Sequence, residues 1–387
     1  MEQSKLFQVP PAIHFGCHAA DQAGPEAARL SAAKALIVTD ENLINLGVVA
    51  PVQASLKQAG IPAVIYDGVN VEPTLEHVAG GLQVLREEGC DLVIAVGGGS
   101  PIDAAKAIAV MAVNQGKLQD YLGLGKIPKA GLPLIAVPTT AGTGSEATIF
   151  TIITDQDRNV KMPIGSPYLI ARVALVDPLL TLTLPPLLTA ATGLDALTHG
   201  IEAYVSRKAQ PLSDLLALSA LELITQNIYQ AWANPQNIEA RTKVMLGALQ
   251  AGMAFSNSSI ALVHGMSRPI GANFHLPHGL TNTAILSVVT EYSIAGNQER
   301  YARIAAALGA DTRGLSSIEA AHAGLAVIKG LLKELQIPSL KELVRDKGKF
   351  EERLEQMAKD AIASGSPAHN PRTASVEDIV ALYRAAW

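Results

Sequence analysis

The stretch Asp91–Val113, DLVIAVGGGSPIDAAKAIAVMAV, decides how the first half of the chain folds. Its apolar start, Asp91–Ser100, is typical of a fully buried strand that runs into a glycine turn, and an Ala-rich helical run follows. Strand-like runs also occur at Lys34–Asp40, Ile61–Val69 and Leu132–Thr140, with helical stretches between them. Strands that alternate with helices predict a largely parallel sheet with helices on both faces.

The pattern changes after the segment Ala174–Pro186. Strand-like runs nearly vanish there, and long segments rich in Ala and Leu follow. Pro185 and Pro186 mark the change, because proline interrupts regular structure. At 387 residues the chain also exceeds the size at which a single hydrophobic core usually stops growing. We therefore expect an α/β domain at residues 1–185 and an all-helical domain at residues 186–387.

Composition and charge exclude several classes of protein. Apolar residues make up 49% of the chain and charged residues 17%, and the net charge is −5 without any basic tract. A nucleic-acid surface needs clustered Lys and Arg, so we expect no nucleic-acid partner. The polar N-terminus and the lack of an uninterrupted apolar run of ~18 residues predict a cytoplasmic protein without a membrane segment. Cys17 and Cys90 are too few and too far apart to suggest a disulfide framework or a thiolate zinc site.

Metal-ligand side chains collect in the second half. In the apolar segment TGLDALTHGIEAYVS, Asp195 and His199 are four residues apart, so a helix places them on one face. His264 and His278 lie further along. One carboxylate and three imidazoles would form a site for Fe(II) or Zn(II). The alternative for the pair alone is a buried hydrogen bond between Asp195 and His199.

Two glycine-rich turns point to a nucleotide. In GGGS, the backbone of Gly97, Gly98 and Gly99, the Ser100 hydroxyl and the helix N-terminus could approach a phosphate closely. The GxGxxG fingerprint is absent, and a plain tight turn is the alternative. A second loop, PTTAGTGSEAT, follows the next strand and is crowded with hydroxyls and glycines.

Two charged residues could also contact a dinucleotide. Asp40 ends a predicted strand, where a carboxylate accepts from the adenosine ribose and favours NAD over NADP; the alternative is a helix N-cap. Lys161 could neutralise a pyrophosphate or contact the nicotinamide ribose, and the alternative is an ordinary solvated lysine.

The ordered set of motifs resembles the iron-dependent (group III) alcohol dehydrogenases, the family of lactaldehyde reductase and 1,3-propanediol dehydrogenase. The matching stretches are GGGSPIDAAKAIA, PTTAGTGSEAT, VALVDPLLTLTLPP, TGLDALTHGIEAYVS, AGMAFSNSSIALVHGM, LPHGLTN and NPRTASVEDIVALYRAAW. They span nearly the whole chain. The resemblance implies a dehydroquinate-synthase-like fold, with an α/β Rossmann-like domain followed by an all-α metal domain.

The resemblance also implies roles for individual residues. The metal ligands would be Asp195, His199, His264 and His278. The cofactor-binding residues would be Asp40, Gly97, Gly98, Gly99, Ser100, Asp103, Thr139, Thr140, Lys161 and Leu180. The implied activity is hydride transfer between NAD(H) and a small primary alcohol, diol or aldehyde, with Fe(II) or possibly Zn(II), in a homodimer or higher homo-oligomer. The alternative is an NAD- and metal-dependent non-redox enzyme of the dehydroquinate synthase type.

The sequence departs from the family pattern at two positions. Arg268 stands where many members have a histidine four residues after the third ligand, and Glu72 stands where several have Asn. The catalytic assignments therefore fall on His275, as a residue that could line the cavity and carry a proton, and on Arg268. The arginine either holds an anionic group of the substrate or pairs with a nearby acidic residue.

Overall fold

A strand, Leu92–Gly97, and a helix, Gly99–Met111, form at the stretch that carries the glycine turn. The computed structural model describes residues 4–70, 72–158 and 160–387. Within them, the chain divides into two units: Gln8–Thr183, and Leu184–Trp387 together with the N-terminal segment that ends at Phe7. Whether residues 1–185 and 186–387 fold as separate domains stays a prediction.

The first unit is built on a six-stranded sheet. The strands of this sheet are β1 (Ala12–Phe15), β2 (Ala35–Val38), β3 (Ala63–Tyr66), β4 (Leu92–Gly97), β6 (Leu134–Pro138) and β9 (Val173–Val176). They lie in the order β1-β9-β6-β4-β2-β3, and every pair is parallel. This confirms the predicted α/β class.

Both faces of the sheet are covered by helices. Because successive side chains of a strand point to opposite sides, neighbouring residues of one strand enter two different apolar clusters. The helices of this unit are α1 (Ala23–Arg29), α2 (Glu41–Asn45), α3 (Ala50–Gln58), α4 (Leu75–Glu87) and α5 (Gly99–Met111). Leu36 and Val38 belong to one apolar cluster with helices α4 and α5, and Ile37 belongs to the other with helices α1 and α3. The expected helices on both faces are therefore present.

The strand order reverses between β2 and β4. From β2 the chain goes outward to β3, and it then crosses to β4 on the other side of β2. In open parallel sheets, ligands bind in the crevice at the carboxyl ends of the strands that flank such a reversal. Asp40 follows β2 and Gly97 ends β4, so these two predicted cofactor residues flank the reversal.

A second, small sheet was not expected from the sequence. Its strands are β5 (Gly123–Leu124), β7 (Phe150–Asp155) and β8 (Val160–Gly165). They lie in the order β5-β8-β7, in which β7 and β8 form an antiparallel hairpin. The backbone N–H of Thr154 donates to the carbonyl of Pro73 at 2.8 Å. This bond holds the segment before α4 beside the hairpin.

The second unit is helical, as predicted. Its helices are α6 (Pro186–Val205), α7 (Pro211–Ala233), α8 (Ile238–Ser256), α9 (Leu262–Phe274), α10 (His278–Ile294), α11 (Gln298–Ala307), α12 (Ser317–Glu334), α13 (Leu340–Val344), α14 (Lys347–Ala363) and α15 (Val376–Ala386). Helix α6 packs closely against α7 and α8. A Cβ atom added to Gly193 would lie 2.3 Å from Ile228 Cδ1, so the glycine lets the helices approach. Among the described residues, no helix has the length and apolar character needed to cross a membrane.

Candidate metal centre and nucleotide-binding edge

One stripe of the buried helix α6 carries three polar side chains. Asp195, His199 and Glu202 are four and three residues apart, which is the spacing of a single helix face. All three are at most 5% exposed. Asp195 and His199 were predicted ligands. Glu202 was missed, although its place seven residues after Asp195 was a signal available in the sequence.

The structure brings three of the four predicted ligands together. Single ligand atoms of Asp195, His199 and His264 all lie within 4.8 Å of one another. The rings of His199 and His264 stack with their centroids 4.4 Å apart. The ring of Phe255 also stacks on that of His199, again with the centroids 4.4 Å apart. Phe255 was not expected at the site, and it fixes the orientation of His199.

The fourth predicted ligand, His278, lies at the start of α10. Its Nε2 atom is 4.0 Å from Asp195 Oδ1, and its side chain is 32% exposed, against 3% for Asp195. Asn282, one turn further along α10, donates from Nδ2 to Asp195 Oδ1 at 2.6 Å, and the same amide nitrogen lies 3.1 Å from His278 Nε2. Asn282 therefore links two predicted ligands, and it was also missed.

Glu202 holds His264 in a defined orientation. Its Oε2 lies 2.6 Å from His264 Nδ1, and its Oε1 accepts from the backbone N–H of Val263 at 2.6 Å. Because a carboxylate only accepts hydrogen bonds, His264 Nδ1 carries a proton. The opposite ring nitrogen, Nε2, then faces away from Glu202, towards Asp195.

The charges of this cluster favour a cation. Burial alone would lower the pKa of His264, but the carboxylates of Glu202 and Asp195 raise it to about 9. Burial alone would raise the pKa of Asp195, but the imidazoles of His199, His278 and His264 hold it well below its usual range. Two buried carboxylates thus attract a positive charge to the imidazoles, which a proton or a metal ion can supply.

The residues fit a divalent metal. His264 Nε2 is buried and has no hydrogen-bond partner within the described part of the chain, and Asp195 Oδ1 is 3.5 Å from it. An orphaned imidazole nitrogen beside a carboxylate is what a metal ion would satisfy. Oxygen and nitrogen ligands without a thiolate suit Fe(II) or Zn(II).

The two predicted catalytic residues lie on α9 and just after it. His275 follows the last residue of α9 in the left-handed conformation, with φ 52°, and is exposed. Arg268 lies one turn after His264, and its Nη1 donates to Ser366 Oγ at 3.3 Å. Its Nε is buried without a hydrogen-bond partner, and within the described residues it forms no ion pair at 4.0 Å or less. The expected alternative of a salt bridge to an acidic residue is therefore absent there.

In the first unit, the glycine turn requires its glycines. A Cβ atom on Gly97 would lie 2.5 Å from Pro101 Cγ, and one on Gly99 would lie 2.9 Å from Thr143 Cγ2. The N-cap of α5 is Gly98, and Ser100 follows in the first turn. The turn therefore exposes backbone N–H groups at the start of a helix, a geometry that suits a phosphate.

Other predicted cofactor residues have partners within the same unit. Asp40 is the N-cap of α2 and accepts from the backbone N–H of Leu43 at 3.0 Å. The structure therefore shows the helix N-cap that was the alternative role for this residue. Lys161 Nζ lies 2.6 Å from Glu72 Oε1, so Lys161 forms an ion pair with the glutamate that stands where several family members have Asn. Leu180 is 6% exposed and belongs to an apolar core cluster.

The hydroxyl-rich loop after β6 is held to α5. Thr139 is buried and Thr140 is half-buried at its start. Asp103 accepts from Ser145 Oγ at 2.6 Å and from the backbone N–H of Ile152 at 2.9 Å. Burial raises the pKa of Asp103, and it raises the pKa of Glu146 in the same loop to about 7.

A buried lysine on α5 was missed by the sequence reasoning. Lys106 Nζ donates to the carbonyl of Thr148 at 3.0 Å, to the Thr148 hydroxyl at 2.9 Å and to the carbonyl of Phe150 at 2.7 Å. Burial lowers its pKa to about 8. The sequence signal for this buried lysine was its place three residues after Asp103 in an Ala-rich helix. The lysine fixes the end of the loop where β7 begins.

The parallel sheet with its glycine turn and the buried Asp/His cluster are the features expected of a metal-dependent enzyme that uses a nucleotide. Residues 10–178 match the family model of iron-containing alcohol dehydrogenase, and residues 189–387 match the C-terminal model of the same family. The chain therefore belongs to the iron-containing alcohol dehydrogenase family, which confirms the resemblance.

Individual relatives agree with this assignment. The chain is 39% identical over 383 residues to 1,3-propanediol dehydrogenase of Klebsiella pneumoniae, covering 98% of each. It is 38% identical over 378 residues to NAD-dependent methanol dehydrogenase of Bacillus methanolicus, again covering 98% of each. A crystal structure of 1,3-propanediol oxidoreductase matches with a TM-score of 0.97 at 38% identity, covering 100% of both chains. The fold and the alcohol dehydrogenase or aldehyde reductase activity are confirmed, and the non-redox alternative has no support.

Proposed function

We propose that Asp195, His199, His264 and His278 hold a divalent metal, Fe(II) first and Zn(II) second, in an enzyme that interconverts small alcohols and aldehydes with NAD(H). The observation that carries this proposal is the buried, unsatisfied Nε2 of His264 beside the Asp195 carboxylate. A buried imidazole and carboxylate with no ion between them would be costly without a further partner.

The protein's part in the reaction is to hold and orient. When bound, a divalent metal supplies Lewis-acid chemistry at the substrate oxygen. Asp195 and His264 are kept in place for it by Asn282 and Glu202, respectively. Phe255 covers one face of His199 and excludes water from it. The reaction balances as aldehyde, NADH and one proton giving alcohol and NAD⁺. The exposed His275 is the proposed route for that proton.

The first unit supplies the nucleotide site. When bound, NAD(H) accepts or donates the hydride. The turn at Gly97–Ser100 would bind its pyrophosphate through backbone N–H groups, with Thr139 and Thr140 on the adjacent strand end. Asp40 at the end of β2 would accept from the adenosine ribose. Lys161 would contact the cofactor together with Glu72, whereas Asp103 and Leu180 would support the site through packing and loop contacts.

The remaining parts of the proposal concern the substrate and the setting. The substrate is a small molecule, and the name of one relative, 1,3-propanediol dehydrogenase, supports a short alcohol or diol. We also propose a homodimer or larger homo-oligomer in the cytoplasm. Light scattering of the purified protein and fractionation of cells test these two points.

The central test is metal content. We expect anaerobically purified protein to contain a stoichiometric divalent metal and to oxidise NADH with short aldehydes, followed at 340 nm. His264→Ala should lose the metal and the activity but still bind NADH in the first unit. His322→Ala, which changes an exposed histidine of α12, is the matched control. Full turnover by a metal-free His264→Ala protein would contradict the proposal.

A further inference from the structure

One face of α9 carries both a predicted metal ligand and the unusual arginine. His264, Arg268 and Gly271 are four and three residues apart, so their Cα–Cβ directions share that face. A Cβ atom on Gly271 would lie 3.3 Å from the carbonyl of Leu276, just before α10 begins at His278. The face therefore looks toward the start of α10, and Arg268 extends from the same side as His264.

The guanidinium of Arg268 is poorly satisfied. It has five N–H groups, yet its one hydrogen bond to the described residues joins Nη1 to Ser366 Oγ at a long 3.3 Å. Nε is buried and has no partner in the described chain. Burial lowers the pKa of Arg268, and the charge of Glu202 opposes this only in part. A buried cation without an anion is costly, so the position invites one.

The nearby carboxylate of Glu202 faces other donors. Its Oε2 lies beside His264 Nδ1 and its Oε1 accepts from the backbone N–H of Val263, each at 2.6 Å. No ion pair joins Glu202 to Arg268 at 4.0 Å or less in the structure. The guanidinium therefore forms no direct ion pair with a described residue, while its planar fork suits a carboxylate or sulfonate.

We infer that Arg268 binds an acidic group of the substrate, so that the enzyme acts on small aldehydes that carry a carboxylate or a sulfonate and on the corresponding alcohols. This rests on the proposed aldehyde reductase function. One helical turn rises about 6 Å between His264 and Arg268. A short spacer of a few carbon atoms would then join the acidic group to the carbonyl carbon. That carbon takes the hydride of NADH, and its oxygen takes one proton.

The test compares charged and neutral aldehydes of similar size. Wild-type protein should reduce succinic semialdehyde or sulfoacetaldehyde with a kcat/KM at least about tenfold above that for butanal or propanal. Arg268→Gln should abolish this preference by raising KM for the charged aldehydes, so that the ratio of kcat/KM between charged and neutral aldehydes falls to about one. Arg268→Lys keeps the charge without the fork and should fall between them. Arg303→Gln, at an exposed arginine of α11, is the control.

Direct binding separates this inference from the proposed function. In thermal unfolding, 4-hydroxybutyrate should raise the Tm of the wild type and of Arg303→Gln but not of Arg268→Gln, whereas 1-butanol should show no such difference. If the metal-loaded wild type reduces no aldehyde at all, the proposed function fails and the unfolding data alone decide on Arg268. Equal or better use of butanal by the wild type, or an unchanged preference in Arg268→Gln, would overturn the inference and leave the dehydrogenase proposal intact.

Discussion

The Glu202 carboxylate lies 2.6 Å from Nδ1 of His264, and both side chains are buried. This pairing decides the chemistry of the opposite nitrogen. A carboxylate fixes the proton on Nδ1 and leaves the Nε2 lone pair for a ligand. Glu202 is thus the positioning residue of the proposed metal centre, although it would not touch the metal.

Glu202→Gln should weaken metal binding with little change in shape. The amide NH₂ of glutamine would face His264 Nδ1 and donate to it, which moves the imidazole proton to Nε2. We expect a loss of metal affinity of about 10- to 100-fold, measured by competition with a chelator. Glu222→Gln on the exposed side of α7 is the control. Equal metal affinity in Glu202→Gln would show that the pair does not orient the ligand.

Asp40 has a structural role besides its proposed cofactor role, and one substitution separates the two. As the N-cap of α2 it accepts from Leu43, and asparagine caps a helix about as well as aspartate. Asp40→Asn should therefore keep the Tm while removing the charge that repels a 2′-phosphate. We expect the NADH-over-NADPH ratio of kcat/KM to fall by about tenfold or more.

The control for this prediction is another N-cap. Asp346→Asn makes the same change at the cap of α14, whose side chain accepts from the backbone N–H of Lys349. It should leave coenzyme preference unaltered. An unchanged preference in Asp40→Asn as well would remove Asp40 from the ribose site.

The core of the fold was predictable, and its periphery was not. Strands β2, β4 and β6 appear in the sequence as apolar runs, because parallel strands covered on both faces are apolar throughout. The edge strand β3 is only partly buried, but its residues AVIY are apolar too. The β7–β8 hairpin was missed, because its burial does not follow the hydrophobicity of its residues. In β7 the polar Thr151 and Asp155 are buried, whereas Phe150 and Ile152 are only half-buried. Strand β1 is only four residues long, and it pairs with β9, whose residues lie far away in the chain.

The site shows the same division. Helical spacing alone placed Asp195 and His199 on one face. The convergence of His264 on them depends on how α9 packs near α6, which spacing within one helix does not encode. Asn282 is the clearest case: it lies one turn after His278, but its contact with Asp195 joins two helices.

Replacing glycine by alanine should lower the free energy of unfolding at Gly97 in the glycine turn and raise it at Gly330 in α12. In Gly97→Ala the new methyl would lie 2.5 Å from Pro101 Cγ, so strand and helix must shift. We expect a loss of about 1–3 kcal/mol in the free energy of unfolding and weaker NADH binding by fluorescence. Gly330→Ala, in the interior of α12, meets nothing within 4 Å and should stabilise by about 0.5–1 kcal/mol. Unchanged stability and NADH affinity in Gly97→Ala would contradict the close approach.

The buried Glu146 should make stability depend on pH. Burial raises its pKa from 4.5 to about 7 in the folded chain, and Lys106 opposes this only in part. The folded state therefore binds the Glu146 proton between those pH values while the unfolded state releases it, so stability falls as pH rises through this window. Glu146→Gln should remove that fall. The free energy of unfolding of the variant relative to the wild type should shift by about 3 kcal/mol between pH 4.5 and pH 7.5. Glu222→Gln should show no such shift. Parallel curves for the wild type and Glu146→Gln in denaturant titrations across this range would mean that the carboxylate is already ionised in the fold.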